Sequence, residues 1–357
     1  MNSKGFNTAS PGASENGRML KAGIVGAGRM GITHFAILGS HPSVRVVAIA
    51  DDSALMSRVL TKYRPEVQLF SDYEKMLKEV ELDLVLISTP PHLHGAMVDA
   101  SLNARTSIFV EKPFTLSGEE ARRLTARSQS LRGTYQVGYV NRFNDVFMKA
   151  KQLLDAGILG KIFSFRFDMY GRTVTRASSS SGWRGKRKTG GGCLYEFGSH
   201  AIDLMVYLLG KPAEVRGSCL TPVFSTDAED IVRTNVRYSN GATGSITVNW
   251  SDESYRKPTN KIEILGEDGK LMADQHELKL FLSRPKLSFV KGWNTVNITD
   301  VFTPVDFYVR GNEFTRQIYH FAERALDANQ SNLSSFMDAT VTQEVIDMVL
   351  ADAGAEK

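Results

Sequence analysis

Cysteine is scarce in this chain. Two of its 357 residues, Cys193 and Cys219, carry a thiol, with no Cys-x-x-Cys pair and no histidine spaced to share a metal. That argues against a disulfide framework or a zinc finger, and both are read as reduced thiols of a cytoplasmic protein. Long apolar runs are also missing, so no segment is expected to cross a bilayer. Neither sign of charge dominates: 43 Lys+Arg against 39 Asp+Glu leave a formal net charge of +4. Such a balance, spread along the chain, gives no footprint for nucleic acid or a membrane surface. The one local basic cluster, Arg184-Gly185-Lys186-Arg187-Lys188, reads either as a solvated loop or as a cradle for an anionic substrate. Residues 1–19 are expected to form a disordered tail, not a signal peptide, because they are small and polar with no hydrophobic stretch. No internal repeat is visible.

The informative part begins at Leu20. An apolar run from Leu20 to Val25 drives into Gly26-Ala27-Gly28-Arg29-Met30-Gly31. The run reads as a buried strand, and the glycines permit a tight turn and close approach to a pyrophosphate. The helix that follows aims its free N–H groups at that anion. A second strand, Val44 to Ala50, ends in Asp51, about twenty residues past the last glycine, where a ribose-binding carboxylate belongs. Strand and helix patterns go on alternating to Asn141, so a doubly wound parallel sheet is expected over 20–141. Asp83 to Ser88 and Ser107 to Glu111 are two of its strands, and His94 to Asn103 is one of its helices.

From 142 to 357 the pattern changes. One helix is expected over Val146 to Ala156. Alternating strands follow: Ile162 to Tyr170, Glu214 to Leu220, Ile231 to Tyr238, Ala242 to Trp250 and Lys261 to Leu265. These predict a largely antiparallel sheet with one open face, closed by helices over Asn312 to Leu326 and Phe336 to Ala351. The serine-rich stretch Arg176 to Gly182 is read as a mobile loop.

A second glycine cluster, Gly190-Gly191-Gly192, leads into a helical pattern holding Glu196, His200 and Asp203. Spacings of four and three place these side chains along one stripe. A histidine with an orienting carboxylate can act as a base, and either Glu196 or Asp203 offers that partner. The bland alternatives are a satisfied half-buried histidine or a metal ligand set, although nothing nearby completes the latter. The three glycines are either a hinge or, as preferred here, a place where a flat ring comes close. Glu111-Lys112-Pro113 sits at the C-terminal end of a parallel strand, where ligands of open α/β sheets bind. A lysine there can hold a substrate oxygen and stabilise its developing charge. The proline after it allows a cis peptide bond.

Together these segments resemble the Gfo/Idh/MocA family of oxidoreductases. The likeness rests on the glycine loop, Ser88-Thr89-Pro90-Pro91-His92-Leu93-His94, Glu111-Lys112-Pro113, Tyr139-Val140-Asn141-Arg142-Phe143, Gly182-Trp183-Arg184 and the triple-glycine helix through Asp203. It implies an N-terminal Rossmann domain that binds NAD or NADP, and a second α/β domain whose open sheet carries an oligomer interface, so a homodimer or homotetramer. It also implies catalytic roles for Lys112, His200 and Glu196. The family usually has aspartate where this chain has Glu196, which puts the reach of that carboxylate in doubt. Cofactor contacts are expected from Gly26, Gly28, Arg29, Met30, Gly31, Asp51, Asp52, Ser88, Thr89, Pro90, His94, Glu111 and Lys112. Substrate contacts are expected from Tyr139, Asn141, Arg142, Tyr170, Trp183, Arg184 and Asp203. No metal is expected. Asp51 and Asp52 favour NAD over NADP, because two carboxylates repel a 2′-phosphate.

The expected activity is hydride transfer between nicotinamide and a secondary alcohol carbon of a small polyhydroxylated substrate, a sugar, cyclitol or sugar derivative. Two alternatives stay open. One is redox-assisted glycoside cleavage with retained NAD, and the other is a non-catalytic NAD sensor.

Overall fold

The computed structural model of the protein describes residues 18–177 and 182–355. Most of the expected tail, and the serines at 178–181 of the expected mobile loop, lie outside the described residues.

The first sheet begins with β1 (Leu20–Val25), α1 (Arg29–Gly39), β2 (Val44–Ala50), α2 (Ala54–Tyr63), β3 (Gln68–Phe70) and α3 (Tyr73–Glu79). It continues with β4 (Leu84–Ile87), α4 (His94–Asn103), β5 (Ser107–Val110), α5 (Gly118–Gln129) and β6 (Tyr135–Val137). All six strands run parallel in the order β3-β2-β1-β4-β5-β6. The order reverses between β1 and β4, so a crevice opens at their C-terminal ends, where such sheets bind ligands. Strand β4, Leu84-Val85-Leu86-Ile87, is buried at every position, as a strand covered on both faces requires. Ser117 caps α5 by accepting the Glu120 N–H at 3.2 Å, and acids in that first turn suit the helix dipole.

The second sheet has eight strands. After α6 (Asp145–Asp155) come β7 (Ile162–Tyr170), α7 (Ser199–Leu209), β8 (Glu214–Thr221), β9 (Ile231–Arg237), β10 (Thr243–Asn249) and β11 (Thr259–Gly266). The strands β12 (Gly269–Ala273), β13 (Glu277–Leu282) and β14 (Gly292–Asn297) complete it. The order is β14-β13-β12-β11-β7-β10-β9-β8, and only β7 and β10 pair in parallel. One face is apolar and buried, with Leu278, Leu280 and Leu282 alternating against exposed neighbours. The other face is open and carries Leu265, Met272, Phe281 and Trp293, all exposed.

The chain ends with α8 (Ile298–Val301), α9 (Asn312–Leu326) and α10 (Phe336–Asp352). Ile318, Phe321 and Ala322 of α9 join the core formed by β1 and α1. Phe336 of α10 stacks near Phe114 with ring centroids 4.3 Å apart, while Val345, Ile346 and Val349 pack into the core under the second sheet. These last helices therefore tie the two sheets together.

Candidate active site

The glycine loop is built as its spacing demands. Gly26 has φ +89, a left-handed turn that only glycine adopts without strain. A Cβ on Gly31 would lie 1.8 Å from the Gly26 carbonyl oxygen, so α1 packs against the turn only with glycine there. Gly28 caps α1 and faces open space. Asp51 closes the loop: one carboxylate oxygen accepts the Ala27 N–H at 2.5 Å, the other the Ser53 N–H at 2.9 Å. Ser88 Oγ donates to the Gly26 carbonyl at 3.0 Å and ties the end of β4 to the same turn. The donors, the open space at Gly28 and the carboxylates past β2 fit a dinucleotide.

From this loop a cavity of about 1060 Å³ runs along the ends of the parallel strands. Its walls include Gly26, Gly28, Arg29, Met30, Asp51, Asp52, Ser88, Thr89, Pro90, Glu111, Lys112, Trp183, Arg184 and Glu196. Ser71, Asp72, Tyr73 and Thr173 also line it. None of these four had been singled out in the sequence, since nothing in their spacing marks them.

Lys112 lies at the end of β5, and its peptide bond to Pro113 is cis. Lys112 Nζ donates to the Glu196 carbonyl at 3.0 Å and lies 3.1 Å from Glu196 Oε2. Arg184 Nε stands 3.6 Å from the other Glu196 oxygen, and its guanidinium lies 4.4 Å over the Trp183 ring. Burial opposes ionisation of Glu196, but Lys112 first and then Arg184 outweigh it and hold the carboxyl at about 2. Glu111, on the same wall, pairs with His34. Its Oε1 is 2.6 Å from His34 Nε2, its Oε2 accepts the Lys112 N–H at 3.2 Å, and His34 and Lys112 hold it below the usual carboxylate range despite burial. His34 is a supporting residue that sequence reasoning missed, because 77 positions separate it from Glu111.

His200 lies in the first turn of α7. Burial first, then the Lys112 charge, lower its imidazole to about 3, so the ring is neutral at physiological pH. It is half-buried and, like Arg142 and Asp203, is not among the residues that line the cavity. Its expected orienters are placed otherwise. Residues Leu194–Gly198 form a π-turn ahead of α7, so the spacing of four no longer has regular helical geometry. Glu196 is held by Lys112 and Arg184, and no hydrogen bond joins it to His200. Asp203 makes a buried bidentate pair with Arg142, Nη2 to Oδ1 at 2.8 Å and Nε to Oδ2 at 3.0 Å, and accepts Thr342 Oγ1 at 3.0 Å. Arg142 also donates to the Leu333 carbonyl at 3.0 Å. Asp203 and Arg142 thus bolt α7 to the short helical turn Val140–Phe143 and to α10, and neither lines the cavity.

Other expected contacts are also displaced. Tyr170 lies on the far side of β7, stacked on Tyr255 with centroids 5.1 Å apart; burial first, then Asp168, push its hydroxyl to about 12. His94 is fully buried behind the cavity, its ring nitrogens 2.8 Å from the Pro113 carbonyl and 2.9 Å from the Thr89 carbonyl. It pins the two loops that carry Lys112 and Thr89. Asn141 is half-buried within the Val140–Phe143 turn. Tyr139 is fully buried, edge-on to His200.

The triple glycine does not make room for a flat ring, contrary to expectation. A Cβ on Gly190 would lie 2.6 Å from Pro91, on Gly191 2.3 Å from the Arg184 carbonyl, and on Gly192 2.4 Å from Glu229 Oε1. Protein fills each space. Glu229 accepts the Leu194 N–H at 2.8 Å and pairs with Arg187 at 3.0 Å, which anchors the start of the π-turn. Within the basic cluster, then, Arg184 and Arg187 face carboxylates, while Lys186 and Lys188 are exposed. Among the described residues no group of His, Cys, Asp and Glu is placed to hold a metal.

Two family models match the chain. The oxidoreductase family model with an NAD-binding Rossmann fold covers 20–139, and the GFO/IDH/MocA C-terminal domain covers 147–272. The chain belongs to the Gfo/Idh/MocA family of oxidoreductases. An uncharacterized oxidoreductase of Schizosaccharomyces pombe is 31% identical over 202 residues, 55% of this chain and 54% of that protein, so the chain spans about half of that relative. The scyllo-inositol 2-dehydrogenase (NAD(+)) of Bacillus subtilis is 26% identical over 337 residues, 91% of this chain and 92% of that protein. In fold, the chain is similar to levoglucosan dehydrogenase solved with NADH and levoglucosan. The TM-score is 0.83 at 22% identity, covering 94% of this chain and 97% of that one. As an architecture this is a Rossmann parallel sheet joined to an α+β unit with a largely antiparallel, open-faced sheet.

Proposed function

We propose that the protein is a dehydrogenase or reductase that moves a hydride between NAD and a secondary alcohol carbon of a sugar, cyclitol or sugar derivative. One observation carries the reading: Lys112 and Glu196 pair on the wall of the same cavity that the glycine loop lines. The full-length relative from Bacillus subtilis, named for NAD-dependent oxidation of scyllo-inositol, supports it.

Gly26, Gly28 and Gly31 with the α1 N-terminus would hold the pyrophosphate, and Asp51 the ribose hydroxyls. A bound nicotinamide would supply the acceptor for a hydride from the alcohol carbon, or the donor of one to the ketone. Lys112 donates hydrogen bonds to the reacting oxygen and stabilises its negative charge. His200 accepts the hydroxyl proton during oxidation and gives it back during reduction. Glu196 keeps Lys112 aimed and accepts hydrogen bonds from a neighbouring hydroxyl. Trp183 and Arg184 form the wall past them, where an apolar sugar face and a polar substituent would rest. Asp51 and Asp52 both line the cofactor end, and their charges favour NAD over NADP.

The reading divides the chain into a cofactor domain over 20–141 and a substrate and oligomerisation domain over 142–357. The exposed Leu265, Met272, Phe281 and Trp293 would meet a second copy in a homodimer or homotetramer. Both free cysteines suit a cytoplasmic protein.

The test is a panel of inositols, sugars and sugar derivatives assayed for NADH and NADPH absorbance. The expected result is turnover of a polyol or sugar with NAD, and NADP binding about tenfold weaker or worse, roughly 1.4 kcal/mol. Equal affinity for the two cofactors would refute the charge argument. Retention of turnover by Lys112→Ala would refute the site.

A further inference from the structure

Two polar atoms beside His200 are buried without a hydrogen-bond partner among the described residues: His200 Nδ1 and Tyr139 Oη. They belong to adjacent rings that meet edge-on, centroids 6.5 Å apart and planes at 84°. Tyr139 immediately precedes the Val140–Phe143 turn and is fully buried. Both carboxylates that helical spacing offers to His200 are taken, Glu196 by Lys112 and Arg184, Asp203 by Arg142 and Thr342. An imidazole that accepts a proton at Nε2 keeps its other proton at Nδ1, and that N–H needs an acceptor to fix the tautomer and support the cation.

We propose that Tyr139 is the positioning residue of His200: the Nδ1–H donates a hydrogen bond to one buried water, which donates in turn to the Tyr139 hydroxyl, and Nε2 is left with the free lone pair. A water in such a place needs two or more polar partners, and these two atoms supply them. A hydroxyl can accept and donate at once, so the contact survives when His200 turns from neutral to cationic. Tyr139 keeps its own proton throughout, since burial and the nearby Asp203 push its hydroxyl well above the usual range. One proton is transferred, from the substrate hydroxyl to Nε2, and none leaves Nδ1. The groups that face His200 are Lys112 and Glu111 from the end of β5 and Glu196 from the π-turn. Asp203 and Arg142 face Tyr139. The proposal rests on the reading of His200 as the base.

The test uses Tyr139→Phe and the ligand-free protein labelled with 15N at histidine, with His200 assigned from a His200→Ala spectrum. The wild type should carry its His200 proton at Nδ1, and Tyr139→Phe should give a tautomer mixture. In turnover, the variant should lose about tenfold in kcat, the lower end of what an orienting partner is worth. KM should stay within about twofold, because uniform binding is untouched. The acid limb of kcat/KM should move to lower pH, because the imidazolium loses its acceptor. A purely structural tyrosine would leave the tautomer and the pH profile where they were, and that result overturns the proposal. So does a wild-type His200 protonated at Nε2, a measurement that needs no variant to fold. If His200→Ala keeps its turnover, the base assignment falls, and the tautomer spectra alone decide the Tyr139 contact.

Discussion

Two ion pairs flank His200, and they are built for opposite ends. Lys112 and Glu196 meet on the wall of a large cavity, within reach of Arg184. Arg142 and Asp203 meet where both side chains are almost wholly buried, 3% and 1% exposed. In the proposed mechanism the first pair holds its charges ready for the substrate. The second spends its hydrogen bonds and charge on Thr342, Asp338, the Leu333 carbonyl and each other. Residue type and spacing from His200 are nearly the same in both, so access to the cavity is what separates a chemical role from a structural one.

The comparison breaks most visibly in the rate. Lys112→Ala should lower kcat/KM by roughly two to four powers of ten, the loss expected when a positioned group at the reacting oxygen is removed. Its thermal stability should fall less than that of an Arg142 variant, since Glu196 keeps Arg184 and stands on the cavity wall. Equal losses of rate and stability would put Lys112 in the same class as Arg142.

The sealed pair should answer in the other currency. Arg142→Met leaves Asp203 charged and buried, which costs about 3–5 kcal/mol. The double variant Arg142→Met with Asp203→Leu removes both charges and should recover most of that loss. Activity per folded molecule should follow stability in both variants. A double variant less stable than either single one, measured by urea unfolding, would mean that the pair is not an isolated bolt.

The two pairs also explain what the sequence could tell. The glycine loop, Asp51 at the end of β2 and Lys112 at the end of β5 were legible because short apolar runs fix the strands, and strand ends fix the crevice. The helices His94–Asn103 and Asn312–Leu326 fall on their expected limits. Strands β12 to β14 were not individually legible, since Gly269–Ala273 and Gly292–Asn297 are short and half polar. Periodicity placed Glu196, His200 and Asp203 on one stripe, but it could not say what faces the stripe. The π-turn at Leu194–Gly198 leaves no mark in the residue pattern. Tyr170 was misplaced for the same reason: alternation names two faces of β7 without saying which one meets the cavity. The triple glycine was read as room for a flat ring, but protein fills that room: Pro91 and Glu229 arrive from distant parts of the chain and the Arg184 carbonyl from the neighbouring turn.

The smallest expected effect lies in pH, where the two sides of His200 fall in different windows. His320 belongs to the sealed side. It accepts the Leu333 N–H at 3.3 Å, and the Leu333 carbonyl accepts Arg142. Burial, then Arg324 and Arg316, lower its imidazole from 6.5 to about 4. The unfolded chain therefore binds the extra proton first, and stability rises with pH across that interval. This contribution is complete above about 6.5 and is lost as pH falls toward 4. Glu196 on the open side is depressed from 4.5 to about 2, so its contribution stands above 4.5 and disappears only as pH falls toward 2. Thermal midpoints should thus decline between pH 6.5 and 4.5 through the buried histidines, with His200, His41 and His94 adding to His320, while carboxyls that burial raises, Glu229 and Asp203 among them, act in the opposite direction. Replacing His320 with Gln should flatten that slope, whereas Glu196→Gln should leave it unchanged and alter only the more acidic limb. If Glu196→Gln flattens the upper window instead, then the cavity pair and the buried pair are coupled through α7, and the separation drawn between them is wrong.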